Sequence, residues 1–115
     1  MIELPYPHKL LWPNGRTRSF HAKASQIKRH RAWAYTAMLG YLSRFDPPAN
    51  PSRLVYLVRP KPRGRVPDKD NASAAMKAYQ DGIAEALGID DAALGEPRIL
   101  FCDRHPLGAV IVEVE

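Results

Sequence analysis

The chain has 115 residues, 45% of them hydrophobic, and carries 17 Lys or Arg residues against 12 Asp or Glu, a formal net charge of +5. This length predicts a single domain over residues 1–115 with a modest core. No apolar run approaches the roughly 18 residues that span a bilayer, and no N-terminal segment resembles a secretion signal. The one cysteine, Cys102, cannot form an internal disulfide and is expected to be packed. We therefore expect a cytoplasmic protein without membrane association.

The charge is divided unevenly along the chain. Residues 1–67 hold 13 Lys or Arg residues against two acids, whereas residues 68–115 hold 4 against 10. A basic surface attracts polyanions, but a dense acidic patch beside it repels nucleic acid unless it binds cations. This polarity fits a metal-dependent nuclease better than a protein that only coats DNA.

Hydrophobic patterning predicts six regular elements. They are, in chain order, a strand over 2–6, a helix over 21–43, a strand over 54–58, a helix over 70–87, and strands over 98–103 and 109–115. The strand over 54–58 is apolar throughout, which predicts burial on both faces. A turn over 104–108 predicts that the last two strands pair antiparallel. The order β-α-β-α-β-β predicts an α+β fold, a small mixed sheet with two helices packed on it.

The loop before the first helix carries cations and one aromatic residue. Arg16 and Arg18 lie in this loop, and Trp12 stands among its basic residues. Cations interleaved with an aromatic ring suit contacts to a nucleic-acid backbone and base stacking. The alternative is a solvated loop with Trp12 packed on the core, and the sequence leaves both open.

The first half of the long helix is basic, and its apolar positions predict one buried side. Lys28, Arg29 and Arg31 belong to a cluster without an acid, which favours phosphate contact over a merely solvated face. Ala24 and Ile27 begin the stripe expected to be buried, which continues along the helix through Ala34, Met38, Tyr41 and Leu42.

A proline-rich basic loop follows the second strand. Lys61, Arg63 and Arg65 alternate with prolines and Gly64. Prolines lack the backbone donor that a sheet interior needs, and glycine lets the backbone approach a ligand closely. No GxxxxGK[ST] phosphate loop is present, so no nucleotide cofactor is expected.

The second helix carries most of the candidate chemistry. Its apolar residues recur at three- and four-residue spacing, Asp70 is a candidate N-cap, and Gly88 is expected to end it. Lys77 and Asp81 lie four residues apart on the polar side. They form either a solvated ion pair or, with Asp70, a functional stripe. For Asp68 and Asp70, helix capping and metal ligation both remain open.

These residues carry a family resemblance. Asp68-Lys-Asp70-Asn71, then Lys77, Asp81 and the Asp90-Asp91 doublet, resemble the signature of the RusA-type Holliday junction resolvases. The N-terminal Leu4-Pro-Tyr-Pro7, the basic Arg16-Thr-Arg18 before a long helix and the terminal strands are similar to that family as well.

The resemblance implies a RusA-like fold and a magnesium-dependent DNA endonuclease, with manganese as a possible substitute for Mg²⁺. It implies a homodimer that resolves four-way junctions by paired nicks in recombination and repair. Asp68, Asp70 and Asp91 would be catalytic metal ligands, and Asp90 an auxiliary one. Lys77 would stabilise transition-state charge, although the family lysine falls where this chain has Ala74. The residues expected to contact DNA are Arg16, Arg18, Lys28, Arg29, Arg31, Lys61, Arg63, Arg65, Lys69 and Asn71.

Helix length constrains this metal site. A single helix over residues 70–87 spans about 26 Å, so Asp91 would stay on the order of 10 Å or more from Asp70 within one protomer. Either the helix is shorter or bent, or Asp68 and Asp70 of one chain join Asp91 of its partner. The alternatives to a nuclease are a catalytically weak DNA-binding relative and a basic RNA-binding protein.

Overall fold

The computed structural model describes residues 1–13 and 19–115, so Arg16 and Arg18 lie outside the described residues. The strands and helices are β1 (Ile2–Pro5), α1 (Phe20–Leu42), β2 (Leu54–Arg59), α2 (Lys69–Ala75), α3 (Lys77–Leu87), β3 (Arg98–Phe101) and β4 (Ala109–Val114). Two short 3₁₀ turns, Lys9–Leu11 and Asp91–Ala93, complete the described elements. None of the helices in these two ranges has the length and apolar character needed to cross a membrane.

The four strands form one mixed sheet in the order β1-β4-β2-β3. β4 pairs antiparallel with both β1 and β2, and β3 pairs parallel with β2. The predicted α+β class with a small mixed sheet is therefore confirmed. The predicted antiparallel pairing of the last two strands is wrong, because β2 lies between them. β3 follows a helical crossover and so enters parallel to β2, and the connection to β4 passes across the end of β2.

The predicted second helix is two helices separated by one residue. Met76 has φ −87° and ψ −3°, and its N–H is shared by the carbonyls of Ala72 and Ser73 at 3.1 and 3.2 Å. The helical pattern resumes directly, because Gln80 N–H donates to the Met76 carbonyl at 2.9 Å. Residues 1–13 and 19–115 thus form three α-helices rather than the expected two. Gly88 ends α3 in the left-handed conformation, φ 72°, as predicted.

The core lies between the helices and one face of the sheet. Alternate strand residues point into it, with Leu54, Tyr56 and Val58 fully buried on β2. Val55 on the opposite face is also buried, whereas Leu57 is half-buried, so the predicted double burial of β2 holds only in part.

α1 and α3 approach each other closely at Gly82. A Cβ atom placed on Gly82 would lie 2.3 Å from the Arg31 carbonyl oxygen and 3.1 Å from the Tyr35 amide nitrogen. Only glycine allows the two helix backbones to come this near. This contact fixes the position of α1, which carries the basic cluster, relative to α3.

The first half of α1 projects beyond the core. Its 23 residues make a helix about 34 Å long, whereas strands of four to six residues reach only about 20 Å. Ala34 and Met38 are buried as predicted, but Ala24 and Ile27 are exposed, and Phe20 is 91% exposed. The prediction of a buried stripe along the whole helix is therefore wrong for its first turns.

Candidate functional site

The start of α2 is built by Asp68, which is the N-cap in place of the predicted Asp70. The Asp68 carboxylate accepts hydrogen bonds from the Asn71 backbone N–H at 2.8 Å and from the Asn71 side-chain amide at 3.3 Å. A capping carboxylate satisfies a free helix donor and complements the helix dipole. Asp68 and Asn71 therefore form one local unit at the end of the basic loop.

Asp70 lies on a different surface from Asp68. It is the second residue of α2, and two residues advance a helix by about 200°. Asp70 lines a groove with Lys69, Arg53 and Arg98, whereas Asp68 lines the groove on the other side. The two carboxylates of the D-x-D motif are therefore not brought together in one chain.

Asp91 instead meets Lys77 and Asp81. The chain turns back after α3, so Lys77 Nζ lies 2.5 Å from Asp91 Oδ2 and 2.9 Å from Asp81 Oδ1. The hydrogen bond from Lys77 holds the pKa of Asp91 down at about 2. Asp91 and then Asp81 raise the pKa of Lys77 in turn. This Lys77 cluster, which consists of Lys77, Asp81 and Asp91, keeps the Asp91 carboxylate ionised and the Lys77 amine protonated at neutral pH.

Asp90 has a local structural role beside that cluster. Its carboxylate accepts a hydrogen bond from the Ala92 N–H at 3.0 Å and caps the 3₁₀ turn Asp91–Ala93. Asp81 belongs to the family signature but not to the expected metal ligands. Its spacing of four from Lys77 predicts the ion pair that the structure shows.

These positions decide whether one chain can hold magnesium. Among residues 1–13 and 19–115, no three His, Cys, Asp or Glu side chains come together where they could bind a metal ion. Lys77 already neutralises Asp91, while Asp68 and Asp90 cap helical turns. In the part of one protomer that the structure describes, these side chains therefore do not form a ready-made magnesium site.

The basic loop over 60–65 is held in place by Arg104. Its guanidinium donates to the Lys61 carbonyl at 2.8 Å and to the Gly64 carbonyl at 3.0 Å. Gly64 has φ 95°, which only glycine adopts at low cost. Arg63 and Arg65 are exposed on this loop. Arg104 thus holds the backbone that carries these cations, a role that sequence reasoning missed.

Two adjoining grooves join the loop to α1. Arg29, Lys9 and Lys61 line one groove, and Lys9, Lys61 and Arg65 line the next. Because the grooves share residues, they form one cation-lined surface that ends at Asp68. We call this surface the basic groove. Lys28 precedes Arg29 on α1 and is exposed, whereas Arg31 is paired with Glu85 of α3 at 3.1 Å.

A buried histidine fastens the two walls of the basic groove. His30 is 1% exposed. Its Nε2 accepts from the His8 backbone N–H at 3.1 Å, while Nδ1 donates to the Gln26 carbonyl at 2.7 Å. Only the neutral ring with its proton on Nδ1 makes both bonds. Burial lowers the pKa of His30, opposed by the bond to Gln26, and the charge of nearby Arg29 lowers it further.

Tyr6 and Trp12 form an aromatic wall of the basic groove. Their rings stack with centroids 5.4 Å apart and planes at 24°. Trp12 is buried, and its Nε1–H donates to the Pro7 carbonyl at 3.2 Å. The structure thus favours the packed alternative for Trp12 and leaves Tyr6 half-buried at the surface.

The prediction that Cys102 is packed is wrong. Cys102 lies just beyond the end of β3 and is exposed.

Fold and surface together define a small α+β protein with a cation-lined groove. The sequence is 30% identical over 114 residues to a protein of Xylella fastidiosa (strain Temecula1 / ATCC 700964) described as uncharacterized. The alignment covers 98% of this chain and 74% of that protein. The chain therefore belongs to the same family as the Xylella protein. None of the protein-family models matches the sequence.

Proposed function

We propose that the protein is a magnesium-dependent, structure-selective DNA endonuclease that resolves four-way junctions by paired nicks, as its resemblance to the RusA-type resolvases implies. The basic groove is the observation that carries the proposal. It brings Arg29, Lys9, Lys61 and Arg65 into one surface that leads to Asp68. Clustered cations give affinity for a phosphate backbone, and Asp68 at the end of the groove is one of the motif carboxylates.

We further propose that the protein works as a homodimer whose acidic site is completed across the two-fold axis. Asp70 and Asp91 belong to different surfaces of one chain, and seven residues of helix, about 10 Å, separate Asp70 from Lys77, which contacts Asp91. A partner that supplies Asp91 would have to displace it from Lys77. Dimerisation would then be a condition for chemistry as well as for pairing the two cuts.

Substitution of Asp70 tests the assignment of the site. Asp70→Asn preserves shape and removes charge, so nicking of a synthetic four-way junction should be lost while binding survives or tightens. Asp103→Asn is the matched control, because Asp103 is exposed outside these surfaces. Equal nicking rates for Asp70→Asn and the parent protein would show that Asp70 has no catalytic role.

A mixing experiment tests the shared site. Inactive Asp70→Asn and inactive Asp91→Asn proteins should regain nicking of single strands when mixed. Heterodimers would concentrate both lesions in one composite site and leave the other intact. If each site lies within one protomer, every site in the mixture keeps a lesion, and the mixture stays inactive.

A second candidate is a DNA-binding relative without nuclease activity. The contact that favours it is the Lys77 cluster, where the lysine ammonium already neutralises the Asp91 carboxylate. This candidate predicts the same salt-sensitive binding to branched DNA with no nicking in Mg²⁺ or Mn²⁺.

A further inference from the structure

The part of the basic groove between the Tyr6–Trp12 pair and the start of α2 is a distinct concavity. It has a volume of about 550 Å³, which lies within the range of about 300–1,000 Å³ typical of small-molecule sites. A continuous duplex cannot enter such a space, because its bases are paired and stacked inside the helix. A single nucleotide that has left the stack can.

The walls of this concavity carry both signs of charge. Lys9, Lys61 and Arg65 give it three cations, and the Asp68 carboxylate and Asn71 line it as well. A phosphate is attracted to the cations and repelled by the carboxylate. A base is tolerated beside Asp68, because its amino groups and ring N–H groups are donors that a carboxylate can accept.

Tyr6 supplies a surface for stacking. Trp12 supports its ring from within the core, so the ring is held in one orientation before a ligand arrives. Lys61 Nζ lies 5.8 Å from the Tyr6 ring centroid. An exposed cation–π contact is weaker than the stacking of a base on an aromatic ring. Stacking of a base on the Tyr6 ring is therefore favoured over the contact between Lys61 and that ring. Once displaced, the Lys61 ammonium can bind a phosphate.

We infer that this concavity binds one unpaired nucleotide of branched DNA, with the base stacked on Tyr6 and a phosphate held by Lys9, Lys61 and Arg65. The inference rests on the proposed function, since it takes branched DNA as the ligand. Unpaired nucleotides at a branch or flap enter such a pocket at the lowest cost, because little pairing and stacking is lost. The pocket would thus favour branched DNA over an intact duplex without reading its sequence.

The test uses a DNA flap whose one unpaired nucleotide is 2-aminopurine, a base whose fluorescence falls on stacking. The parent protein and Tyr6→Phe, which keeps the ring, should quench the fluorescence. Tyr6→Leu should not quench, and its affinity for the flap should fall on the order of tenfold while its affinity for a fully paired duplex changes less than twofold. Tyr41→Leu is the matched control, because Tyr41 belongs to another stacked pair, with Phe45, outside the groove.

Quenching by Tyr6→Leu equal to that of the parent, or equal losses of flap and duplex binding, would overturn the inference. Should Tyr6→Leu fail to fold, Lys61→Gln at an exposed position decides. It should weaken flap binding more than duplex binding, and equal losses would count against the pocket. Junction nicking is measured separately. Nicking without quenching by the parent overturns the pocket alone, and quenching without nicking supports the pocket and overturns the proposed function.

Discussion

Replacing Gly82 by alanine probes the contact that positions the basic helix. A Cβ atom there would lie 2.3 Å from the Arg31 carbonyl oxygen, roughly 1 Å closer than ordinary carbon–oxygen contacts of about 3.3 Å. α1 and α3 must move apart or distort. Overpacking of this kind costs about 1–3 kcal/mol, and contact with the α1 backbone at both Arg31 and Tyr35 places Gly82→Ala at the upper end.

The better helix propensity of alanine offsets up to about 1 kcal/mol of that cost. The expected net loss is therefore about 2 kcal/mol, a fall in Tm of roughly 8 °C for a domain of this size. Gly40→Ala is the matched control, because Gly40 lies in α1 with nothing within 4 Å of an added Cβ. It should be neutral or raise stability by up to about 1 kcal/mol.

Urea and thermal unfolding followed by circular dichroism measure both variants. The free energies of unfolding of the two variants should differ by about 2–3 kcal/mol, the sum of the two expected effects. If Gly82→Ala is as stable as Gly40→Ala, α1 and α3 do not pack as closely at Gly82 as described. The placement of Arg31 beside Glu85 would then also be wrong.

Three further predictions concern the basic groove. Arg104→Ala should weaken DNA binding several-fold with little change in Tm, because it releases the Lys61 and Gly64 carbonyls. Arg44→Ala removes the same charge at an exposed site and should not weaken DNA binding. Equal losses of DNA binding in the two variants would mean that Arg104 acts only through its charge. Lys28→Ala with Arg29→Ala should reduce the salt slope of DNA binding by about 2, whereas Arg31→Ala, already paired with Glu85, should reduce it little. An unchanged slope in the double variant would mean that α1 faces away from DNA. For His30, burial lowers the pKa below its ordinary 6.5, so the unfolded chain binds the proton more tightly. Its stabilising contribution is complete above about pH 6.5 and is lost as the pH falls towards the folded-state pKa. The free energy of unfolding should therefore be lower at pH 5.5 than at pH 7.5, and His30→Gln should flatten that dependence. If the free energy of unfolding depends on pH as steeply in His30→Gln as in the parent protein, other titrating groups cause the dependence.

Local features of the fold could be predicted from the sequence, whereas pairings between distant segments could not. α1, β2 and the stop at Gly88 follow from periodicity and from the left-handed conformation that glycine adopts. The insertion of β2 between β3 and β4 depends on a parallel crossover, which leaves no mark in the two strand sequences. The break at Met76 likewise could not be predicted, because no proline or glycine lies there.

In the candidate site, too, local features could be predicted from the sequence and contacts between distant segments could not. The cationic segments were visible as charge runs, but their union into one groove needs His30 to fasten the loop after β1 to α1. Asp68 and Asp70 looked equivalent in sequence, and helix geometry sends them to opposite surfaces. Arg104 lies 40 residues from Gly64, whose carbonyl it holds, so no local pattern could reveal that contact.

The most direct measurement of the proposed function is strand nicking of a labelled synthetic four-way junction by the parent protein. In Mg²⁺ the protein should introduce paired nicks near the crossover, leave a linear duplex of the same sequence intact, and stop when EDTA is added. Tight, salt-sensitive junction binding with no nicks in Mg²⁺ or Mn²⁺ would contradict the nuclease and leave the DNA-binding relative. Nicking at the same rate in EDTA would contradict the metal dependence.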